Sequence, residues 1–183
     1  MKTIKWIPVL LVLALSCGTT EDTNIADGWA AFQLGNYEEA QSFFTSALTT
    51  APKEANEGLG WVAVKEDQLP QARSYFLTSA GVDADTLIGA MAGLAIVSWQ
   101  QKVYQESLDA ANFVLSRQST FTFEFDPTIV TSVLTLVQAY DYYHLGQFSA
   151  CLSRIQVLDP GFASTTDPQA LLNKLDALSA TGT

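Results

Sequence analysis

Histidine occurs once in this sequence, at His144, and cysteine twice, at Cys17 and Cys151. Metal sites built from Cys or His pairs are thereby excluded, as is a fold stapled by several disulfides. Basic residues are few: 9 Lys and Arg stand against 19 Asp and Glu. Two of the nine, Lys2 and Lys5, lie at the extreme N-terminus, and every acidic residue follows Ser16. The body of the chain is therefore strongly acidic. That argues against nucleic acid, whose phosphates are neutralised by clustered Lys and Arg, and against electrostatic docking on anionic lipid. There is no Gly-rich phosphate loop and no apolar run of the roughly 20 residues that span a bilayer. Asp141 lies three residues before His144, on the same helical face, and is placed to orient it. A nucleophile, a second base or an oxyanion site is not evident beside them. Asp83-Ala84-Asp85 is too short for a calcium loop and reads as a helix cap. The expectation is a protein that is not an enzyme and holds no metal or dissociable cofactor.

What is present is a hydrophobic fraction of 48%, enough for one ordered domain with a real core. The first sixteen residues have the three parts of a secretory signal: Lys2 and Lys5, an apolar stretch from Trp6 to Leu15, and a cleavage site at Leu13-Ala14-Leu15-Ser16-Cys17. Cys151 lies in an apolar helical pattern and reads as a small buried residue, not a disulfide partner.

Ser16-Cys17 after an apolar stretch resembles the lipobox of bacterial lipoproteins, with Ala14 where Leu is commoner. The resemblance implies cleavage before Cys17, lipidation of its thiol (palmitate among the acyl chains) and a membrane anchor. Several acyl chains hold firmly where one alone is marginal. Residues 17–22 read as lipidated cysteine and tether. Gly18 stands in place of the Asp that marks inner-membrane retention, which favours the outer membrane with the domain facing the periplasm.

Beyond the tether the pattern is helical almost throughout, with apolar residues recurring at three and four. Asp126-Pro127 and Asp167-Pro168 read as helix starts, and Asp159-Pro160-Gly161 as a stop. Aligning Ala40, Ala72, Ser107 and Cys151 gives steps of about 32, 35 and 44 residues. The same steps align Gly28, Gly60, Ala95 and Ala139, all small, and Tyr37, Leu69, Tyr104 and Phe148, all large. Phe44 and Phe76 match each other, followed by Ala111 and Ile155. Small residues beside large ones are what crossing helices require.

These columns resemble the tetratricopeptide repeat. Leu59-Gly60 matches its Leu-Gly pair, and Gly35, Tyr37, Ala40, Phe44, Ala47 and Pro52 match most of its second half. Ala72 and Phe76 match in the second repeat; the third and fourth are degenerate. The resemblance implies an all-α fold: a right-handed helical-hairpin solenoid of about four repeats plus a C-terminal capping helix. The repeats span about 23–53, 54–85, 86–118 and 127–160, with a loop at 119–126 and a cap and tail at 161–183. Leu171, Leu172, Leu175 and Leu178 line the apolar face of the cap. In the loop, Phe121, Phe123 and Phe125 alternate, as in a strand without a sheet. They read as packing on the repeats, or as a lid or partner contact.

In this family the first helices line a concave groove. The register places Trp29, Trp61, Ile96 and Tyr140 in one groove column and Phe32, Val64, Trp99 and Tyr143 in the next. Asp22, Glu54 and Glu57 lie near the groove's start. The aromatic columns read either as core or as a platform for an extended or helical peptide. The expected function is a membrane-anchored periplasmic adaptor that binds a protein or peptide segment within an envelope assembly. The alternative is a glycan-binding lipoprotein that uses the same aromatics.

Overall fold

The computed structural model describes residues 23–81 and 87–181. The leader, Cys17, the tether with Asp22, and the Asp83-Ala84-Asp85 cap lie outside them. Nine helices are present among the described residues: α1 (Thr23–Gln33), α2 (Tyr37–Ala47), α3 (Pro52–Lys65), α4 (Leu69–Ala80), α5 (Ile88–Gln100), α6 (Tyr104–Arg117), α7 (Thr131–His144), α8 (Phe148–Leu158) and α9 (Pro168–Ala180).

Each helix packs on the next from α1 to α8. The backbones of the first helices of successive pairs also approach closely, α1 with α3, α3 with α5 and α5 with α7, whereas those of the second helices stand further apart. A stack whose first helices crowd together and whose second helices splay apart is curved, with α1, α3, α5 and α7 on the inner arc. Helix α9 closes the far end by packing on α7 and α8, burying Leu171, Leu175 and Leu178 and half-burying Leu172.

One turn is used four times. Gly35, Asp67, Lys102 and Gly146 have φ of 79°, 58°, 63° and 72°, and their spacing repeats the steps of 32, 35 and 44 read from the sequence. In each hairpin the left-handed residue and its successor bond back to the helix: Gly35 to Phe32 and Asn36 to Ala31, then Asp67 to Val64 and Gln68 to Ala63. Lys102 to Trp99 and Val103 to Ser98, and Gly146 to Tyr143 and Gln147 to Tyr142, complete the set. This paired closure satisfies carbonyls that the helix end leaves orphaned. Glycine occupies the position without strain in two repeats; Asp67 and Lys102 accept it in the others.

The second-helix phenylalanines explain the small-residue columns. A Cβ on Gly28 or Gly58 would fall 2.6 or 2.5 Å from the Phe44 ring. The same holds for Phe76, which lies between Gly60, at 2.5 Å, and Gly93. Each ring is thus slotted between a glycine of its own repeat and a glycine of the next, and both rings are fully buried. In the third repeat Ala111 replaces the phenylalanine, and the register sets Ala95 and Val137 where the glycines stood.

The interface between repeats three and four is polar. Ser107 and Asp141 are both fully buried, with Ser107 Oγ 2.8 Å from the Ala95 carbonyl and 2.7 Å from Asp141 Oδ2. Gln138 bonds Asn112 nearby. The apolar core divides within α7, one part running from repeat one to Leu134 and the other joining Tyr140 and α8 to α9, with Trp99 against it. Arg73 and Glu106 tie α4 to α6 through bonds of 2.6 and 2.7 Å, and Ser98 of α5 donates to the same carboxylate. The Arg73 bond, with help from Ser98, holds the Glu106 carboxyl below its usual range.

Two local expectations are corrected. Asp126-Pro127 does not start a helix. Asp126 accepts bonds from the backbone N–H and hydroxyl of Thr128 and pairs with Lys65, and α7 begins only at Thr131. Asp141 does not orient His144 through its carboxyl, which lies against Ser107; the His144 ring stacks on Tyr104 with centroids 4.3 Å apart. Asp167 does cap α9, accepting the Ala170 N–H at 2.8 Å, α8 ends at Leu158 before the Asp-Pro-Gly stop, and Cys151 is a buried free thiol.

Candidate functional site

The inner helices bring the two predicted columns onto one face, and the chain itself covers much of that face. Residues 121–123 run extended across the inner face of the first repeats, and the chain turns at Glu124 and Phe125. The Phe123 N–H donates to the Ile129 carbonyl, the Thr131 N–H donates to the Phe121 carbonyl, and Thr122 bridges Val130. The alternation seen in the sequence therefore does belong to a pairing, but only with the chain's own return. Phe121 and Phe123 are 4% exposed, while Thr122 and Glu124 point to solvent.

The inward rings lie on the expected columns. Phe125 stacks on Trp29 with centroids 3.9 Å apart and planes 3° from parallel. Phe123 stacks on Trp61 at 4.4 Å and meets Trp29 edge-on at 5.8 Å. Trp29 also packs edge-on against Phe32 and Phe44. Trp29, Phe32 and Trp61 are consequently buried, at 5%, 3% and 1% exposure. At the other end the Tyr140 hydroxyl bonds Asp176 of α9 and that ring is buried too. Burial of the phenol and its bond to Asp176 raise its pKa.

Between these two covers lies α5. Ile96 and Trp99 of α5, Val64 of α3 and Tyr143 of α7 are half-buried, and Trp99 leans on Tyr140 at 5.4 Å. Of the eight predicted contact residues, these four reach solvent in the closed molecule. Trp61→Ala should therefore destabilise the domain by about 3–5 kcal/mol, whereas Trp99→Ala should cost clearly less. Acrylamide quenching of single-tryptophan variants should show Trp29 and Trp61 protected and Trp99 accessible. Equal protection of all three, with equal loss of stability, would place Trp99 in the core as well.

Two polar features hold the covering segment. Lys65 Nζ, at the end of α3, lies 2.6 Å from Asp126 Oδ2; Lys65 and Thr128 lower the Asp126 pKa against the opposing effect of burial. Below the segment, Glu57 is 7% exposed and accepts the Ala90 N–H in the first turn of α5, which has no side-chain cap of its own. Burial, reinforced by Glu54, pushes the Glu57 carboxyl up to about 7. A hollow of about 230 Å³ lies between Glu57, the start of α5 and the segment. The Trp61 indole N–H, also beneath the segment, has no acceptor.

Sequence reasoning found the columns and the alternating phenylalanines. It missed Gly58 and Gly93, whose spacing is offset by two from the aligned glycines. It also missed the Lys65–Asp126 tie and the Glu57 cap, because each joins segments far apart in the chain. No group of His, Cys, Asp and Glu able to hold a metal occurs among the described residues.

No protein-family model matches the chain, and no curated protein matches it. Solved structures do. One is the crystal structure of PilW, described as a widely conserved type IV pilus biogenesis factor, with a TM-score of 0.58 and 19% identity over 81% of this chain. Another is a tetratricopeptide repeat protein from Parabacteroides merdae ATCC 43184, with a TM-score of 0.51 and 18% identity over 86% of this chain. The matched region spans 66% of the first structure's chain and 58% of the second's. Four helical hairpins with a recurrent turn, an inner arc of first helices and a terminal cap give this chain the fold of tetratricopeptide-repeat proteins.

Proposed function

We propose that the chain is a lipid-anchored periplasmic adaptor that holds a protein or peptide segment within an envelope assembly. The observation that carries this reading is the inner face itself: Val64, Ile96, Trp99 and Tyr143, all apolar or aromatic and all on the inner helices, are only half-buried and reach solvent. Tryptophan and tyrosine are favoured anchors at protein interfaces. The acidic balance of the body leaves such a hydrophobic contact as its means of engagement. The secretory leader and the lipobox at Cys17 support the anchor, and Gly18 favours the outer membrane over the inner. The pilus biogenesis role of one structural neighbour, PilW, is in keeping with an envelope setting.

The test is site-specific photo-cross-linking with the full chain in its own cells. A photoreactive residue at Trp99 or Tyr143 should yield a discrete protein adduct, and one at exposed Thr45 on α2 should not. Cys17→Ala should move the chain to the soluble periplasmic fraction and diminish the adduct. Adducts independent of position would dismiss the inner face as the site. A wild-type chain that is soluble and takes up no labelled fatty acid would dismiss the anchor.

A further inference from the structure

The segment at 121–126 has the form of a bound peptide. It is extended as far as Phe123 and turns at Glu124 and Phe125, yet it presents every second side chain to the inner face throughout, and its contacts there are ring on ring. Phe123 meets Trp61 and Phe125 meets Trp29, and Asp126 then meets Lys65. Thr122 and Glu124, pointing away, contribute nothing to the face. A loop needed only to join α6 to α7 has no use for three alternating phenylalanines. Nor is the fit complete. The indole N–H of Trp61 is buried without an acceptor, although an extended chain lying over it carries carbonyls at every residue. Glu57 keeps its carboxyl beneath the rings beside a hollow of about 230 Å³.

We infer that residues 121–126 are an internal ligand: the inner face of repeats one and two recognises a segment with aromatic residues at alternate positions followed by a carboxylate, and the chain's own copy occupies that site until a partner's segment displaces it. The inference rests on the adaptor reading and deepens it by naming the partner's chemistry. It also explains how a peptide site can be lined by residues as buried as Trp29 and Trp61. They are buried by a segment that is replaceable in kind. The return arm, through Ile129 and Thr131, keeps the segment tethered when it leaves. Competition of this sort sets the partner's apparent affinity, since the observed dissociation constant is the intrinsic one divided by the fraction of molecules with an empty site.

The probe is a synthetic peptide with the sequence of residues 119–129, tested against the full chain by fluorescence anisotropy. Phe121→Ser, Phe123→Ser and Phe125→Ser together empty the site. Asp126→Ala keeps the rings and releases the Lys65 tie together with the two Thr128 bonds, so it remains informative if the triple variant does not fold. The triple variant should bind the peptide, Asp126→Ala should bind it more weakly, and the wild type should bind it at least about tenfold more weakly than the triple variant. A peptide of the same composition with its three phenylalanines adjacent should fail to bind. Equal binding by wild type and variants, no binding by a folded variant, or equal binding of the rearranged peptide each overturns the inference. If that happens while cross-links from Trp99 and Tyr143 persist, the internal ligand is wrong and the adaptor reading stands.

Discussion

Phe76→Ala is expected to destabilise the domain by about 3–5 kcal/mol, the range for removing a fully buried aromatic. The loss should depend on the glycines that face the ring. Gly60→Ala in the wild-type background places a Cβ about 2.5 Å from Phe76, which cannot shift because Gly93 of the next repeat presses on its other side. The same substitution in the Phe76→Ala background meets an empty slot. It fills part of the cavity and gains the roughly 1 kcal/mol by which alanine exceeds glycine in a helix interior. Gly60→Ala should therefore be destabilising alone and neutral or stabilising beside Phe76→Ala, a coupling of about 2 kcal/mol or more. Chemical denaturation of the two single variants and the double variant measures it. A cost for Gly60→Ala that is the same in both backgrounds would disprove the slot. The third repeat already carries the double change, with Ala111 for the phenylalanine and Ala95 for the glycine.

The slot shows why so much of the fold was legible. A glycine that admits a ring leaves a mark on the sequence, because both partners are unusual and recur together. The hairpin turns left a weaker mark. Gly35 and Gly146 announce a left-handed residue, but Asp67 and Lys102 adopt the same conformation with ordinary side chains, so the turn shows only in the register. Phe121, Phe123 and Phe125 showed their alternation, yet not what they face. Whether aromatic columns form an open groove or a core depends on a loop that folds back from more than ninety residues beyond Trp29, and periodicity within a helix carries no information about that. Local chemistry also misled where a distant partner claimed the side chain. Asp126-Pro127 has the form of a helix cap, but Lys65 and Thr128 take the carboxylate. Asp141 sits one turn from His144, but Ser107, across the repeat interface, takes it instead.

Asp141 also yields the second large effect. A serine hydroxyl has one proton, and Ser107 Oγ lies within bonding distance of both the Ala95 carbonyl and Asp141 Oδ2. Both contacts are satisfied when Ser107 donates to the carbonyl and a protonated Asp141 donates to Ser107. Burial agrees, pushing the Asp141 carboxyl up to about 7 from an ordinary 3.8, against the opposing Ser107 bond. The folded protein thus keeps a proton that the unfolded chain releases near 3.8. The stability this contributes is complete below that pH and is lost as pH rises through about 7, a change on the order of 3–4 kcal/mol. Glu57, raised from 4.5 to about 7, acts in the same direction. Glu106, Asp126 and Asp159 are lowered, so their opposite contributions fall below the window. His144 is lowered by burial and by Lys102 and opposes within the window. Asp141→Asn separates the terms, because an amide N–H donates to Ser107 as the protonated acid does and has no charge to bury. The advantage of the variant over the wild type should therefore grow by about 2–3 kcal/mol between pH 5 and pH 8, with His144 and Glu57 common to both proteins. Urea unfolding at the two pH values decides it. A variant that is less stable than the wild type at pH 8 would mean that Asp141 is ionised in the folded protein and that its charge is used.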